Sequence, residues 1–220
     1  MDVERFLREL PRELEDVSRY EEILEQVPGL AQPNNLALLN VAARCRGEGE
    51  VYLEVGTFHG TSLIGAMLGN SGEFVALDNW SLGDGSREQL AANLDRYGLR
   101  ATVLEGDAFE TLRAGVPTPI GVYYYDNGHE YEQQLDGMRL VEPYLASPAL
   151  VIVDDTDWER VERARRAGGR RLPRGAAARN ADLPRRGQGP RPSRVVGRHA
   201  RPALDVGRGG ERQAAPTSAR

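Results

Sequence analysis

The chain changes its hydrophobic period near residue 50. Before that point apolar residues recur at helical spacing. The first 30 residues read as one or two acidic helices punctuated by Pro11 and Pro28. Pro33-Asn34-Asn35 reads as a cap before a helix with Leu36, Leu38, Leu39, Val41 and Ala42 as its apolar stripe. From Val51 onward short apolar runs take over. Strands are predicted at Val51–Val55, Phe74–Leu77, Ala101–Leu104, Ile120–Tyr125 and Leu150–Val153. Helices are predicted at Thr61–Leu68, at Ser86–Tyr97, and where Tyr131, Leu135, Met138, Val141 and Leu145 recur at helical spacing. Strands alternating with helices predict crossover units and a parallel sheet. The near-continuous apolar run ALVIV suits a sheet covered on both faces, so the fold class is α/β.

After about Trp158 the pattern stops. GGRRLPRGAAARNADLPRRGQGPRPSR has neither a two-residue nor a 3.6-residue period, and such sequence cannot bury a core. Charge divides at the same place. Residues 1–160 hold 12 Arg and 29 Asp+Glu, a net of −17, while residues 161–220 hold 16 Arg and 4 Asp+Glu, a net of +12. The acidic body opposes nucleic-acid binding, because it repels phosphate. No apolar run approaches the roughly 20 residues of a membrane span. The charged start MDVERFLRELPRELED lacks a signal-peptide core, so the expected location is cytoplasmic. The single cysteine, Cys45, excludes an internal disulfide and a cysteine-based zinc cluster, and its apolar surroundings predict a buried thiol.

The chemistry concentrates where strands end. V51-Y-L-E-V-G-T-F-H-G-T-S62 takes an apolar strand through a carboxylate into a glycine turn. In an open parallel sheet, ligands bind at the carboxyl ends of the strands, and glycines there let backbone come close. The dinucleotide fingerprint G-x-G-x-x-G is absent, because Phe58 stands where its second glycine belongs. The arrangement E-V-G-T-x-x-G-T-S instead resembles the first motif of the class I S-adenosylmethionine-dependent methyltransferases. Asp78 closes the second strand, E105-G-D-A108 follows the third, Y125-D-N-G-H-E-Y131 the fourth and V153-D-D-T-D-W158 the fifth. That order resembles the small bacterial O-methyltransferase group that is itself similar to macrolide-sugar and related natural-product methyltransferases.

The resemblance covers about residues 35–158. It implies a Rossmann-like class I methyltransferase sheet, S-adenosylmethionine as cofactor, and a small-molecule methyl acceptor. It implies cofactor contacts from Glu54, Gly56, Thr57, Gly60, Ser62, Asp78, Asn79, Asp107 and Ala108, with Glu54 near the methionine ammonium and Asp78 on the ribose hydroxyls. The expected organisation is an N-terminal helical cap at 1–46, the cofactor domain at 47–163 and a tail at 164–220, with a homodimer as the expected assembly.

Asp126, Asp154 and Asp155 close two adjacent strands at the expected cofactor face. Three converging carboxylates repel unless a cation joins them, and Mg2+ with oxygen ligands would do so. The competing reading makes them helix caps or loop acids, Asp155 or Asp157 capping a helix begun by Trp158. His129, three residues past Asp126, is the candidate base for the acceptor's proton, with Asp126 beside it. His59 lies inside the glycine turn, either near the cofactor or facing solvent. N79-W-S-L-G-D-G85 is the expected lid, with Trp80 either on a ligand ring or in the core.

The resemblance also implies two further strands after the fifth, as an antiparallel hairpin. The sequence supplies only Val195-Val196 as a seed. One reading of the tail is a disordered basic segment. The other is a shifted reading frame of a GC-rich gene, which the absence of lysine fits: GTG GTG GGA CGG encodes Val-Val-Gly-Arg, and one base later reads Trp-Trp-Asp-Gly. On either reading the fifth strand is expected to be left as a bare apolar edge.

Overall fold

In a computed structural model, the structure describes residues 1–81 and 85–155, residues 159, 163, 164, 166 and 167, and the backbone of 177–179. The middle of the expected lid (82–84), the expected cap and start of the last helix (156–158) and nearly all of the tail lie outside the described residues.

Five parallel strands form the body of the sheet: β1 (Val51–Val55), β2 (Phe74–Asp78), β3 (Thr102–Glu105), β4 (Ile120–Tyr125) and β5 (Leu145–Val153). A short sixth, β6 (Ala177–Arg179), completes the order β3-β2-β1-β4-β5-β6. Strand order reverses direction between β1 and β4, which pair in parallel with Glu54 beside Tyr124. That is the switch point where a crevice opens at the carboxyl ends of such a sheet. β6 pairs with Val151–Val153, so the apolar end of β5 is not the bare edge that the sequence led one to expect. The run Ala-Ala-Arg carries no strand pattern, and an edge position accepts it through backbone pairing alone.

The N-terminal helices are α1 (Val3–Glu13), α2 (Glu21–Gln26) and α3 (Pro33–Arg44). Pro11 does not end a helix; it sits inside α1, near its C-terminus, where it removes one N–H. That bond would have gone to Leu7, whose position is on the exposed side of the helix. Pro33 takes the first position of α3, where no N–H is needed, and Gln32 precedes it without a side-chain cap. Asn34 and Asn35 therefore lie in the first turn rather than capping it. The crossover helices are α4 (Thr61–Met67), α5 (Arg87–Arg96), α6 (Ala108–Ala114) and α7 (Tyr131–Val141). The sequence pattern had not singled out α6, whose seven residues carry only two buried positions, Ala108 and Leu112.

Two apolar layers sandwich the sheet. Tyr52, Ala76, Val122, Tyr124 and Ile152 face a layer containing α3 and α4; Leu53, Val55, Leu77, Tyr123, Tyr125 and Val153 face one containing α6 and α7. The two-residue strand period puts Glu54 on the same face as Tyr52, under α4. Cys45 is fully buried, as expected of a structural thiol. Among the described residues no helix is long and apolar enough to cross a membrane.

Candidate functional site

Glu54 is a fully buried carboxylate, and this explains the hydroxyls that follow it. Its Oε1 accepts from Thr57 Oγ1 at 2.9 Å and from Ser62 Oγ at 2.7 Å, and its Oε2 accepts from Tyr52 Oη at 3.0 Å. Thr57 belongs to the glycine turn and Ser62 to the first turn of α4, so one carboxylate ties strand, turn and helix together. Burial pushes its carboxyl up to about 7, opposed by the hydroxyls of Ser62, Thr57 and Tyr52 and reinforced by Asp78.

The glycines are dictated by close approach. Gly56 has φ 89, and a Cβ there would lie 2.0 Å from the Asp126 carbonyl oxygen. The β1 turn therefore presses against the backbone that leaves β4. Gly60 has φ 90 and precedes α4, with Leu90 against it.

Asp78 closes β2 and holds two loops. Its Oδ2 accepts from the Phe58 N–H at 2.7 Å and its Oδ1 from the Trp80 N–H at 2.7 Å. Both donors are left-handed non-glycine residues, Phe58 at φ 49 and Trp80 at φ 46, a conformation that costs energy unless something holds it. The Trp80 indole N–H donates to the Phe58 carbonyl at 3.0 Å, so Trp80 is anchored to the glycine turn. Asn79 is exposed and its Oδ1 accepts from the Ser81 N–H at 3.0 Å. Asp107 caps α6, accepting at 2.9 Å from the N–H groups of Phe109 and Glu110, with Ala108 buried beside it.

His59 does not face solvent. Its Nδ1 lies 3.1 Å from the Pro28 carbonyl, and its ring stacks on Phe58 at 3.8 Å. The Thr61 hydroxyl donates to the same Pro28 oxygen at 3.1 Å. These contacts fasten the segment between α2 and α3 onto the glycine turn.

The acids beyond β4 and β5 take unequal places. Asp126, His129 and Asp155 present one nitrogen and two carboxylate oxygens within 4.8 Å of one another. His129 Nε2 is 3.5 Å from Asp155 Oδ2. Asp154 instead accepts from the buried Tyr124 hydroxyl at 2.5 Å, and its other oxygen accepts from the Asp155 N–H at 2.9 Å. Burial raises the Asp126 carboxyl well above the usual carboxylate range, and Asp154, Asp155 and Glu54 add to the rise. From α7, the Gln134 amide donates to the Asn127 and Gly128 carbonyls at 3.3 and 3.0 Å and fixes the loop that carries His129.

The residues that sequence reasoning missed are Tyr52, Tyr124 and Gln134. The first two had a signal: Tyr52-x-Glu54 and Tyr124-x-Asp126 each put a phenol on the same strand face as an acid two residues on. Gln134 had none, because its partners are backbone carbonyls.

Residues 53–156 match the family described as methyltransferase domain. An O-methyltransferase from Bacillus cereus, solved in complex with S-adenosylhomocysteine (SAH), is 20% identical, with 68% of this chain and 76% of that one covered at a TM-score of 0.51. TrmN from Thermus thermophilus is 18% identical, with 71% of this chain and 45% of that one covered at a TM-score of 0.52. At these identities the likeness is one of fold. No curated protein matches the chain in sequence.

Proposed function

We propose that this chain, whose residues 53–156 match the family described as methyltransferase domain, is a class I S-adenosylmethionine-dependent methyltransferase that methylates a hydroxyl oxygen of a small molecule with the help of a divalent ion. The observation that carries this reading is the meeting, at the β1–β4 switch point, of the Glu54–Gly56 turn, the Asp78 carboxylate and the Asp126–His129–Asp155 cluster. The Bacillus cereus structure, an O-methyltransferase with bound SAH, favours oxygen as the acceptor atom.

S-adenosylmethionine supplies an electrophilic methyl group, so the chain needs to orient, desolvate and take charge rather than make covalent intermediates. Asp78 would hold the ribose hydroxyls on lone pairs left beside the Phe58 and Trp80 bonds, with Asn79 at its edge. Asp107 and Ala108 would hold the adenine. Gly56 and Gly60 would let backbone come close to the methionine portion, and Glu54, which holds that turn through Thr57 and Ser62, would offer negative charge to the ammonium. Asp126, His129 and Asp155 fit an ion, being three ligand atoms close enough to share one, and such an ion supplies Lewis-acid polarisation of the acceptor hydroxyl. We assign His129 to this donor set, since its Nε2 faces Asp155.

Calorimetric titration of the full chain with SAH tests the reading. Micromolar binding is expected. Asp78→Asn keeps the shape but turns one oxygen into a donor facing a backbone N–H, and should weaken SAH binding about thirtyfold, roughly 2 kcal/mol. A folded protein that does not bind SAH would overturn the assignment.

A further inference from the structure

Only one asparagine of the chain, Asn127, is followed by a glycine. The Gly128 N–H donates to Asn127 Oδ1 at 2.9 Å, so this nitrogen rests against the side-chain amide of its own predecessor. Cγ, the carbon bonded to that oxygen, is the electrophile of the amide. A nucleophile and an electrophile held together in one chain react as an intramolecular pair. Gly128 has φ 39 and no Cβ, which leaves its nitrogen unshielded. The buried Gln134 amide donates to the Asn127 carbonyl at 3.3 Å and to the Gly128 carbonyl at 3.0 Å. The first of these bonds supports the negative charge that the 127–128 peptide takes on when the Gly128 nitrogen gives up its proton. Both residues are half-buried on a loop, within reach of water. Asn70 and Asn79 are arranged differently. Asn70 Nδ2 donates to the Asn40 and Ala66 carbonyls at 2.9 and 2.7 Å. Asn79 Oδ1 accepts from Ser81, two residues on, while the Trp80 N–H between them is committed to Asp78.

We infer that Asn127–Gly128 is a self-modification site, at which the Gly128 nitrogen closes on the Asn127 side chain and converts the asparagine to aspartate and isoaspartate. The Gly128 nitrogen loses its proton to solvent and its electron pair forms a bond to Asn127 Cγ. The Cγ–Nδ2 bond breaks, and Nδ2 leaves as ammonia. Water then adds to one of the two carbonyls of the resulting succinimide ring. Addition at Cγ reopens the ring to aspartate. Addition at the main-chain carbon leaves Gly128 joined through Cγ, an isoaspartyl link. One water enters and one ammonia leaves, and no other reagent is needed. The isoaspartyl link adds a carbon to the main chain inside a clamped stretch. Upstream, the Asp126 N–H donates to the Val55 carbonyl at 2.9 Å and the Asp126 carbonyl lies against Gly56. Downstream, Gln134 holds the Asn127 and Gly128 carbonyls. The added carbon therefore displaces either the Gly56 turn or the loop that carries His129. The modification itself is independent of the methyl-transfer reading; its effect on SAH binding rests on that reading.

The test incubates the full chain in neutral buffer for days, folded and, in parallel, unfolded in guanidinium. Ammonia release and peptide mapping that separates aspartyl from isoaspartyl forms follow the reaction. The folded chain should convert Asn127 at a rate no more than about threefold below that of the unfolded chain, because the fold already holds the reacting pair together. Asn70 should stay intact in the folded chain. Asn127→Gln, which would have to close a larger ring, should react at least about tenfold more slowly. The isoaspartyl fraction, separated from fresh chain, should bind SAH at least about tenfold more weakly. Asn127→Asp carries the charge without the extra carbon and should stay within about threefold of the native affinity. Conversion that is about tenfold or more slower in the folded chain would overturn the inference, since the fold would then protect the pair. An affinity loss in Asn127→Asp as large as in the isoaspartyl fraction would overturn the argument from the added carbon. A folded chain that converts at Asn127 yet binds no SAH when fresh upholds the modification and sinks the methyltransferase reading.

Discussion

Gly56→Ala should unfold at a temperature lower by about 10 °C and lose measurable SAH binding. Two separate costs combine. At φ 89 a side chain strains the backbone by roughly 1–2 kcal/mol. The added Cβ would also lie 2.0 Å from the Asp126 carbonyl oxygen and 2.7 Å from its carbon. Those are backbone atoms, held in place because the Asp126 N–H donates to the Val55 carbonyl at 2.9 Å, so no flexible side chain can swing aside. Forcing β1 and β4 apart adds about 1–3 kcal/mol, giving about 2–5 kcal/mol in all, a large share of a typical domain's stability. Gly49→Ala separates the two costs. Gly49 has φ 74 but nothing within 4 Å of the added Cβ, so only the conformational cost should appear. Thermal unfolding of the two variants side by side decides the matter. Equal losses would mean that the approach of the β1 turn to Asp126 contributes nothing.

That close approach marks how far the sequence could be read. Strands β1, β2, β4 and the end of β5 were legible because each is buried on both faces and so is apolar apart from Glu54 in β1 and Asp78 at the end of β2. The glycine turn was legible because a residue with φ near +90° at a strand end is nearly always glycine. The acids were legible as a group, since charged side chains at strand ends in an apolar sheet need a reason. Their individual places were not. Asp154 meets Tyr124, 30 positions away, only through strand pairing, while its neighbour Asp155 lies against His129. β6 was illegible for the opposite reason: Ala177–Arg179 is held by backbone hydrogen bonds, which leave no pattern in side chains. His59 and Pro28, 31 positions apart, meet only once α2 and α4 are packed, so the histidine looked free to face either way.

Glu54→Gln should make the ligand-free protein more stable at pH 8, with little effect at pH 4.5. In the folded chain the carboxyl is raised to about 7 from the ordinary 4.5, chiefly because burial disfavours its charge. The folded state therefore holds a proton that the unfolded state releases, and between about pH 4.5 and 7 the folded state is the better proton binder. Stability falls as pH rises through that window, and the full cost is present above pH 7. A shift of this size corresponds to about 3 kcal/mol. A neutral glutamine escapes it, and it still offers an oxygen to the Thr57 and Ser62 hydroxyls while Tyr52 turns its oxygen toward the amide. Denaturant unfolding of both proteins at pH 4.5 and pH 8 should show a gap of about 2–3 kcal/mol that is nearly absent at the lower pH. A pH-independent gap would mean that Glu54 is not the group that titrates. The native residue is then worse for stability than its neutral analogue, and what it offers in return is a charge beneath the glycine turn. A cofactor carrying an ammonium should draw the proton off Glu54. Binding of SAH near pH 7 should accordingly release protons, measured as a dependence of the calorimetric heat on buffer ionisation enthalpy. Glu54→Gln should bind SAH about tenfold more weakly with that release diminished. An unchanged proton release in the variant would place the titrating group elsewhere in the cleft.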